Sequence, residues 1–127
     1  MGLLMTIRSP ETSGRSQTIV ELSGEADLND SAALREMLAA QAADPSAALI
    51  LDLSRLRFID SAALHVILVA GRALITRGGA FALAAPQEPV RRILQLSGAD
   101  RLVPVYETVE AAKGRGHHDG RPRPGSS

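Results

Sequence analysis

Two apolar patterns, one after the other, mark the middle of the chain. Residues 49–53 form a short apolar run, which is typical of a central strand that is buried on both faces. Asp60 and Ser61 follow that run and precede a second pattern, in which apolar residues recur on one face of a predicted helix. Ser61 is therefore predicted to be the N-cap of this helix, where its hydroxyl would accept from free backbone amides. The apolar residues of the helix pattern are Leu64, Ile67, Leu68, Leu74 and Ile75.

Other segments of the chain alternate between predicted strands and predicted helices. Gly24 opens the run 24–27, which is predicted to end the second strand. A polar loop over 9–16 joins the first two strands into a predicted hairpin. Strands are indicated over 3–8, 17–23, 80–85 and 102–106, and helices from about residue 31 to before Pro45, from Glu88 to Ser97, and for one turn over 109–112.

This order of elements predicts an α/β fold, in which helices cross between mainly parallel strands. We expect one domain over residues 1–112, with a mixed, mainly parallel sheet of four or five strands covered by three or four helices. Residues 113–127 contain no aliphatic side chain and are predicted to be a disordered polar tail. Partners of such sheets meet the carboxyl ends of the strands, so Asp27 and the pair Asp60 and Ser61 are expected at one edge.

Composition narrows the possible functions. The 127 residues carry 14 basic and 14 acidic side chains, with two Phe, one Tyr and no Trp, so nothing argues for binding to nucleic acid. The lack of cysteine excludes disulfides, thiol catalysis and thiolate metal ligands. The sequence shows no signal peptide and no apolar run that could span a bilayer, so we expect a cytoplasmic protein without a membrane segment.

Asp60, Ser61 and His65 are the residue types of a catalytic triad, but their spacing argues against a hydrolase. A triad orients its histidine between the nucleophile and the carboxylate, which neighbouring Asp60 and Ser61 do not readily allow. The glycine elbow of serine hydrolases is also missing around Ser61. The histidines show no metal-ligand spacing. We therefore expect an interaction protein that is not an enzyme and needs no cofactor.

The second predicted helix carries apolar residues beyond its buried face. These additional residues are Ala62, Val66, Val69, Ala70 and Ala73. The helix is either packed on two sides or offers a docking patch to a partner, and the sequence leaves both interpretations open.

Three stretches of the chain together carry a family resemblance. They are 23–27 (SGEAD), then 51–54 (LDLS) with 58–64 (FIDSAAL), then 90–98 (VRRILQLSG) with Val105 and Tyr106. In this order and spacing they resemble the STAS family, in particular the bacterial anti-sigma factor antagonists. The resemblance extends over residues 3–112 and implies a compact α/β domain, in agreement with the pattern of elements.

The resemblance also implies a regulatory function. Family members of this type bind an anti-sigma factor that is also a GHKL-type serine kinase, and the binding frees a sigma factor. Phosphorylation of a serine that follows an aspartate abolishes binding, and a PP2C-type phosphatase restores it. Ser61 matches that serine, Asp60 the acid before it, and Asp27 the acid of a turn near the kinase contact. The implied partner-binding residues are Asp27, Asp60, Ser61, Ala62, Ala63, Leu64 and His65.

One departure from the family pattern lies directly after Ser61. Family members often have Ser or Thr followed by Gly there, whereas this chain has Ala62 and Ala63, which give a stiffer helix start. The same resemblance allows an alternative function, a STAS subunit of a lipid- or anion-transport assembly that needs no phosphorylation. The sequence does not name the sigma factor, and it leaves open whether the domain forms a dimer.

Overall fold

The sheet is mixed and has five strands within the described part of the chain. The computed structural model describes residues 2–8, 17–44 and 46–116. Neighbouring strands follow the chain order, with β1 antiparallel to β2 and all later neighbours parallel. The predicted α/β fold with a mixed, mainly parallel sheet is therefore confirmed. The strands are β1 (Leu3–Arg8), β2 (Gln17–Ala26), β3 (Ala48–Ile59), β4 (Ala80–Ala84) and β5 (Val105–Tyr106).

Helices cover the two faces of the sheet unequally. Three helices contribute to the larger apolar core, for example through Leu34, Ile67 and Leu94. The fourth helix places Ala112 in a smaller cluster on the other face, against Ile19 and neighbouring strand residues. In the described residues the helices are α1 (Ser31–Gln41), α2 (Ser61–Thr76), α3 (Glu88–Ser97) and α4 (Val109–Gly116), with short 3-10 turns at Leu28–Asp30 and Ala99–Arg101.

The strand β3 is central and buried on both faces, as its apolar run predicts. Leu49 and Leu51 belong to the larger core, whereas Ile50 belongs to the smaller cluster. The strand continues to Ile59, well beyond the predicted apolar run. Its register against β2 shifts twice on the way, which is the signature of β-bulges and bends the strand close to its carboxyl end.

The second strand continues into the run 24–27 and ends three residues later than predicted. Strand β2 passes through Gly24 and ends at Ala26. Gly24 has a φ of 97°, and a Cβ atom on it would collide with the carbonyl oxygen of Gly2. The glycine therefore permits a close backbone approach inside the sheet and does not terminate the strand.

Helix α3 spans the predicted residues, whereas α4 is longer than predicted. Gly98 ends α3 with a left-handed φ of 82°, as its place in the sequence predicts. Helix α4 runs to Gly116, so residues 113–116 are helical and the predicted tail does not begin at residue 113. The remaining tail residues, 117–127, and the predicted loop over 9–16 lie outside the described residues. Among the helices that the structure describes, none is long and apolar enough to cross a membrane.

Strand β4 ends one residue earlier than predicted, because Ala85 has a left-handed φ of 57°. This conformation costs an alanine about 1–2 kcal/mol, more than the roughly 0.5–1 kcal/mol by which glycine destabilises regular structure. Ala85→Gly is therefore expected to raise the free energy of unfolding by about 0.5 kcal/mol in urea denaturation. Ala84→Gly, in the buried strand itself, should lower it. Destabilisation by Ala85→Gly would contradict this account.

Candidate functional site

Helix α2 begins with a cap from Asp60, and the prediction that Ser61 is the N-cap is wrong. Asp60 has extended backbone, and its Oδ1 accepts a hydrogen bond from the Ala63 amide at 3.0 Å. Its own amide donates to the Ala26 carbonyl oxygen at 3.0 Å. Asp60 thus directly follows the end of β3 as the N-cap, and Ser61 is the first residue inside the helix.

The same carboxylate joins two separate turns of the chain. Oδ2 of Asp60 accepts from the Leu28 amide at 3.0 Å, and Leu28 opens the 3-10 turn between β2 and α1. Both oxygens of Asp60 are therefore used by backbone amides, one from each turn. The expectation that Asp27 and Asp60 meet at one edge of the sheet is confirmed by this contact between their turns.

Asp27 holds the neighbouring turn in place by a capping box. Its Oδ1 accepts from the Asn29 amide at 2.9 Å, and the Asp27 amide donates to Oδ2 of Asp30 at 2.8 Å. The carboxylate that the sequence assigns to partner binding thus shapes its own turn. The carboxylates of Asp27, Asp30 and Asp60 together make this edge of the sheet acidic.

The predicted partner-binding residues divide by exposure. Ser61 and His65 are exposed and Ala62 is half-buried, whereas Ala63 and Leu64 are buried in the larger core. A partner at this edge would meet Ser61, Ala62 and His65. The side chains of Ala63 and Leu64 pack into the core and hold the start of α2 against the sheet. They therefore position the site but are not accessible to a partner.

Two exposed apolar residues at this edge were not identified from the sequence. Leu28 is 66% exposed in the 3-10 turn, and Phe58 is 45% exposed close to the end of β3. In the sequence, the exposure of Leu28 is indicated only by its place as a single leucine between Asp27 and Asn29, in a turn that has no apolar core to pack against. These side chains add apolar surface next to the acidic edge.

The apolar surface of α2 is partly buried and partly exposed. Val66 lies in the core, so a wider buried face explains part of the pattern. Val69 is 55% exposed and Ala73 is also exposed, so apolar surface remains on the outer side of the helix. A wider buried face thus accounts for Val66, whereas a docking patch on the exposed Val69 and Ala73 stays a prediction.

Catalysis by Ser61 finds no support in this geometry. Both oxygens of Asp60 accept from backbone amides, so this carboxylate does not orient the His65 ring. Across the described ranges, no three His, Cys, Asp or Glu side chains come together as a possible metal site. The arrangement instead offers an exposed hydroxyl at a helix start, beside a rigid acidic turn.

Comparisons with known proteins agree with this architecture. The Anti-sigma F factor antagonist of Paenibacillus polymyxa is 35% identical over 94 residues, which cover 73% of this chain and 80% of that protein. The structure of the Anti-Sigma Factor Antagonist SpoIIAA in its Unphosphorylated Form matches with a TM-score of 0.66 and 26% identity, over 87% of this chain and 95% of that one. A relative from Thermotoga maritima is 41% identical over 64 residues, half of this chain, and that match spans only 57% of the relative's length.

The match to a family model is more extensive than these pairwise alignments. The model described as STAS domain matches residues 7–112, which include strands β2 to β5, the end of β1 and the first half of α4. Its range also contains the turn that begins at Asp27 and the helix start at Ser61. Since the match covers far more than half of the sequence, the chain belongs to the STAS domain family.

Proposed function

We propose that the protein is an anti-sigma factor antagonist, which binds an anti-sigma factor in the cytoplasm and thereby releases a sigma factor. The observation that carries the proposal is the exposed Ser61, held at the first position of α2 directly after the Asp60 cap. The names of the relative from Paenibacillus and of the SpoIIAA structure support the same function.

The proposal includes a phosphorylation switch at Ser61. Its hydroxyl is exposed and has no hydrogen-bond partner among the residues that the structure describes. A phosphate in the first turn of a helix is favoured by the helix dipole, so the fold would tolerate the modification. Because Asp60 is fixed beside it, phosphorylation would concentrate negative charge at this one place.

The partner in this proposal is a GHKL-type serine kinase, and its chemistry explains why phosphorylation would end binding. Such a kinase must bring the terminal phosphate of ATP to the Ser61 hydroxyl. After transfer, the phosphoserine would lie against the remaining phosphates of the nucleotide, and like charges would repel. Removal of the phosphate by a PP2C-type phosphatase would restore the contact.

A charge at Ser61 is expected to weaken the partner complex while the fold persists. We predict that Ser61→Asp raises the dissociation constant for the purified anti-sigma factor by about tenfold or more, because a carboxylate imitates part of the phosphate charge. Isothermal titration calorimetry measures the affinity. Thr76→Asp is the matched control, since Thr76 is exposed at the opposite end of α2 and should leave the affinity unchanged.

The partner can be identified by using the wild-type protein, Ser61→Asp and Thr76→Asp as baits in a cytoplasmic extract. The expected result is a kinase retained by the wild type and Thr76→Asp and lost with Ser61→Asp. The purified kinase should phosphorylate Ser61 with ATP, and Ser61→Ala should remove the phosphorylation. Recovery of transporter subunits by all three baits, without a kinase, would overturn the proposal in favour of a transport assembly.

A further inference from the structure

His65 is an exposed side chain without a partner, placed one helical turn after Ser61. It makes no hydrogen bond or ion pair with the residues that the structure describes. Residues four apart on a helix are surface neighbours, and the Cα–Cβ bonds of a helix tilt toward its N-terminus. The imidazole of His65 therefore leans toward the turn that carries Ser61.

The other basic side chains at α2 are already engaged. Arg72 donates to the Leu102 carbonyl oxygen at 3.2 Å, and Arg77, at the C-terminal end, donates to the Ala42 carbonyl oxygen at 2.7 Å. Both also lie at least three turns beyond Ser61 along the helix. Within the described helix, His65 is thus the basic group that is both near Ser61 and uncommitted.

The charged residues around the start of α2 give a phosphate no alternative partner there. The elements packed most closely against this helix are the 3-10 turn, α1 and β4, and β4 carries no charge. On β3, which leads into the helix, Arg57 is paired with Glu25 at 3.6 Å. Asp27 and Asp30 on the turn would repel a phosphate. Arg35 and Glu36 on α1 make no hydrogen bond or ion pair with Ser61 or His65 in the part that the structure describes.

We propose that His65 is the counter-ion of a phosphate on Ser61, an inference that rests on the phosphorylation switch proposed above. A phosphoserine carries a charge of about −1.5 to −2 at neutral pH and offers three acceptor oxygens. The imidazole supplies an N–H donor at a four-residue spacing, and its positive form adds an ion pair. His65 thereby holds the phosphate over the first turn of α2 and stabilises the phosphorylated state.

The pairing can be tested on the full chain with phosphoserine incorporated at position 61 during translation. A neighbouring positive charge favours the dianionic phosphate, so its ³¹P resonance should titrate at lower pH in the presence of His65. We expect the midpoint of the ³¹P titration to rise by about 0.3 pH unit in His65→Gln. This shift corresponds to the usual strength of an ion pair between residues four apart on a helix. The difference should shrink in 1 M salt, which screens the pair.

A matched control moves the histidine one turn further. Val69 is exposed on α2, four residues after His65, and lies beyond contact distance of position 61. The double variant with His65→Gln and Val69→His keeps one histidine on the exposed side of α2, as in the wild type, but one turn further from the phosphate. We expect its ³¹P midpoint to equal that of His65→Gln alone. Equal midpoints for the wild-type phosphoprotein and His65→Gln would overturn the pairing, as would full restoration by the double variant.

The two proposals fail in different measurements. If the phosphorylated wild-type protein still binds the anti-sigma factor, the switch at Ser61 is wrong even where the ³¹P titration detects the pair. If phosphorylation blocks binding but the midpoint does not depend on His65, the switch stands and the role of His65 is wrong. The titration uses no partner protein, so its result is independent of which kinase binds.

Discussion

Asp60→Ala is expected to lower the free energy of unfolding by about 2 kcal/mol. The substitution removes the N-cap of α2, which typically costs about 1 kcal/mol, and a second charge-assisted hydrogen bond to the Leu28 amide, which adds a similar amount. The turn at Leu28 loses its tie to the helix start, so partner binding should weaken as well. Urea denaturation monitored by circular dichroism measures the stability.

Asp60→Asn separates the two hydrogen bonds of this carboxylate. Asparagine is a good N-cap and retains one acceptor oxygen, so the bond to Ala63 can persist while the bond to Leu28 is lost. We expect a loss of about 1 kcal/mol, roughly half the effect of alanine. Ser61→Ala is the neighbouring control and should change stability little, since the Ser61 hydroxyl is not the cap. A larger loss with Ser61→Ala than with Asp60→Ala would contradict the assignment of the cap.

Local signals in the sequence were sufficient to predict some elements. Helix α3 was predicted with the bounds that the structure has, because Pro89 in its first turn and Gly98 at its end act within a few residues. The end of β2 could not be predicted in the same way. Gly24 has the appearance of a strand terminator, but its role depends on the approach of Gly2, the residue before the neighbouring strand β1.

The candidate site shows the same division between local and long-range information. The sequence placed Asp27 and Asp60 at one edge because both follow strands, and the structure joins their turns. The sequence pattern predicts Ser61 as the cap, which is wrong, and local propensity does not reveal the error because aspartate and serine are equally good N-caps. The choice depends on the Leu28 amide, 32 residues away in the chain, which requires a carboxylate oxygen at this point.

Gly71 of α2 packs against Phe81 of β4, and Gly71→Ala is expected to destabilise the fold by about 2 kcal/mol. A Cβ atom at this position would collide with the ring of Phe81 on β4, and that ring is only 4% exposed. Overpacking of this kind costs about 1–3 kcal/mol, which outweighs the gain of up to about 1 kcal/mol in helix propensity. Thermal and urea denaturation of the purified variant measure the loss.

Two further variants show whether the collision with Phe81 is the cause. Gly114 lies in α4 with open space around its Cα, so Gly114→Ala has the helix propensity gain without the collision and should be neutral or stabilising. Phe81→Leu removes the ring, so Gly71→Ala should cost less in that background, with a coupling of about 1 kcal/mol. Strict additivity of the two substitutions would contradict the collision with Phe81 as the cause of the loss.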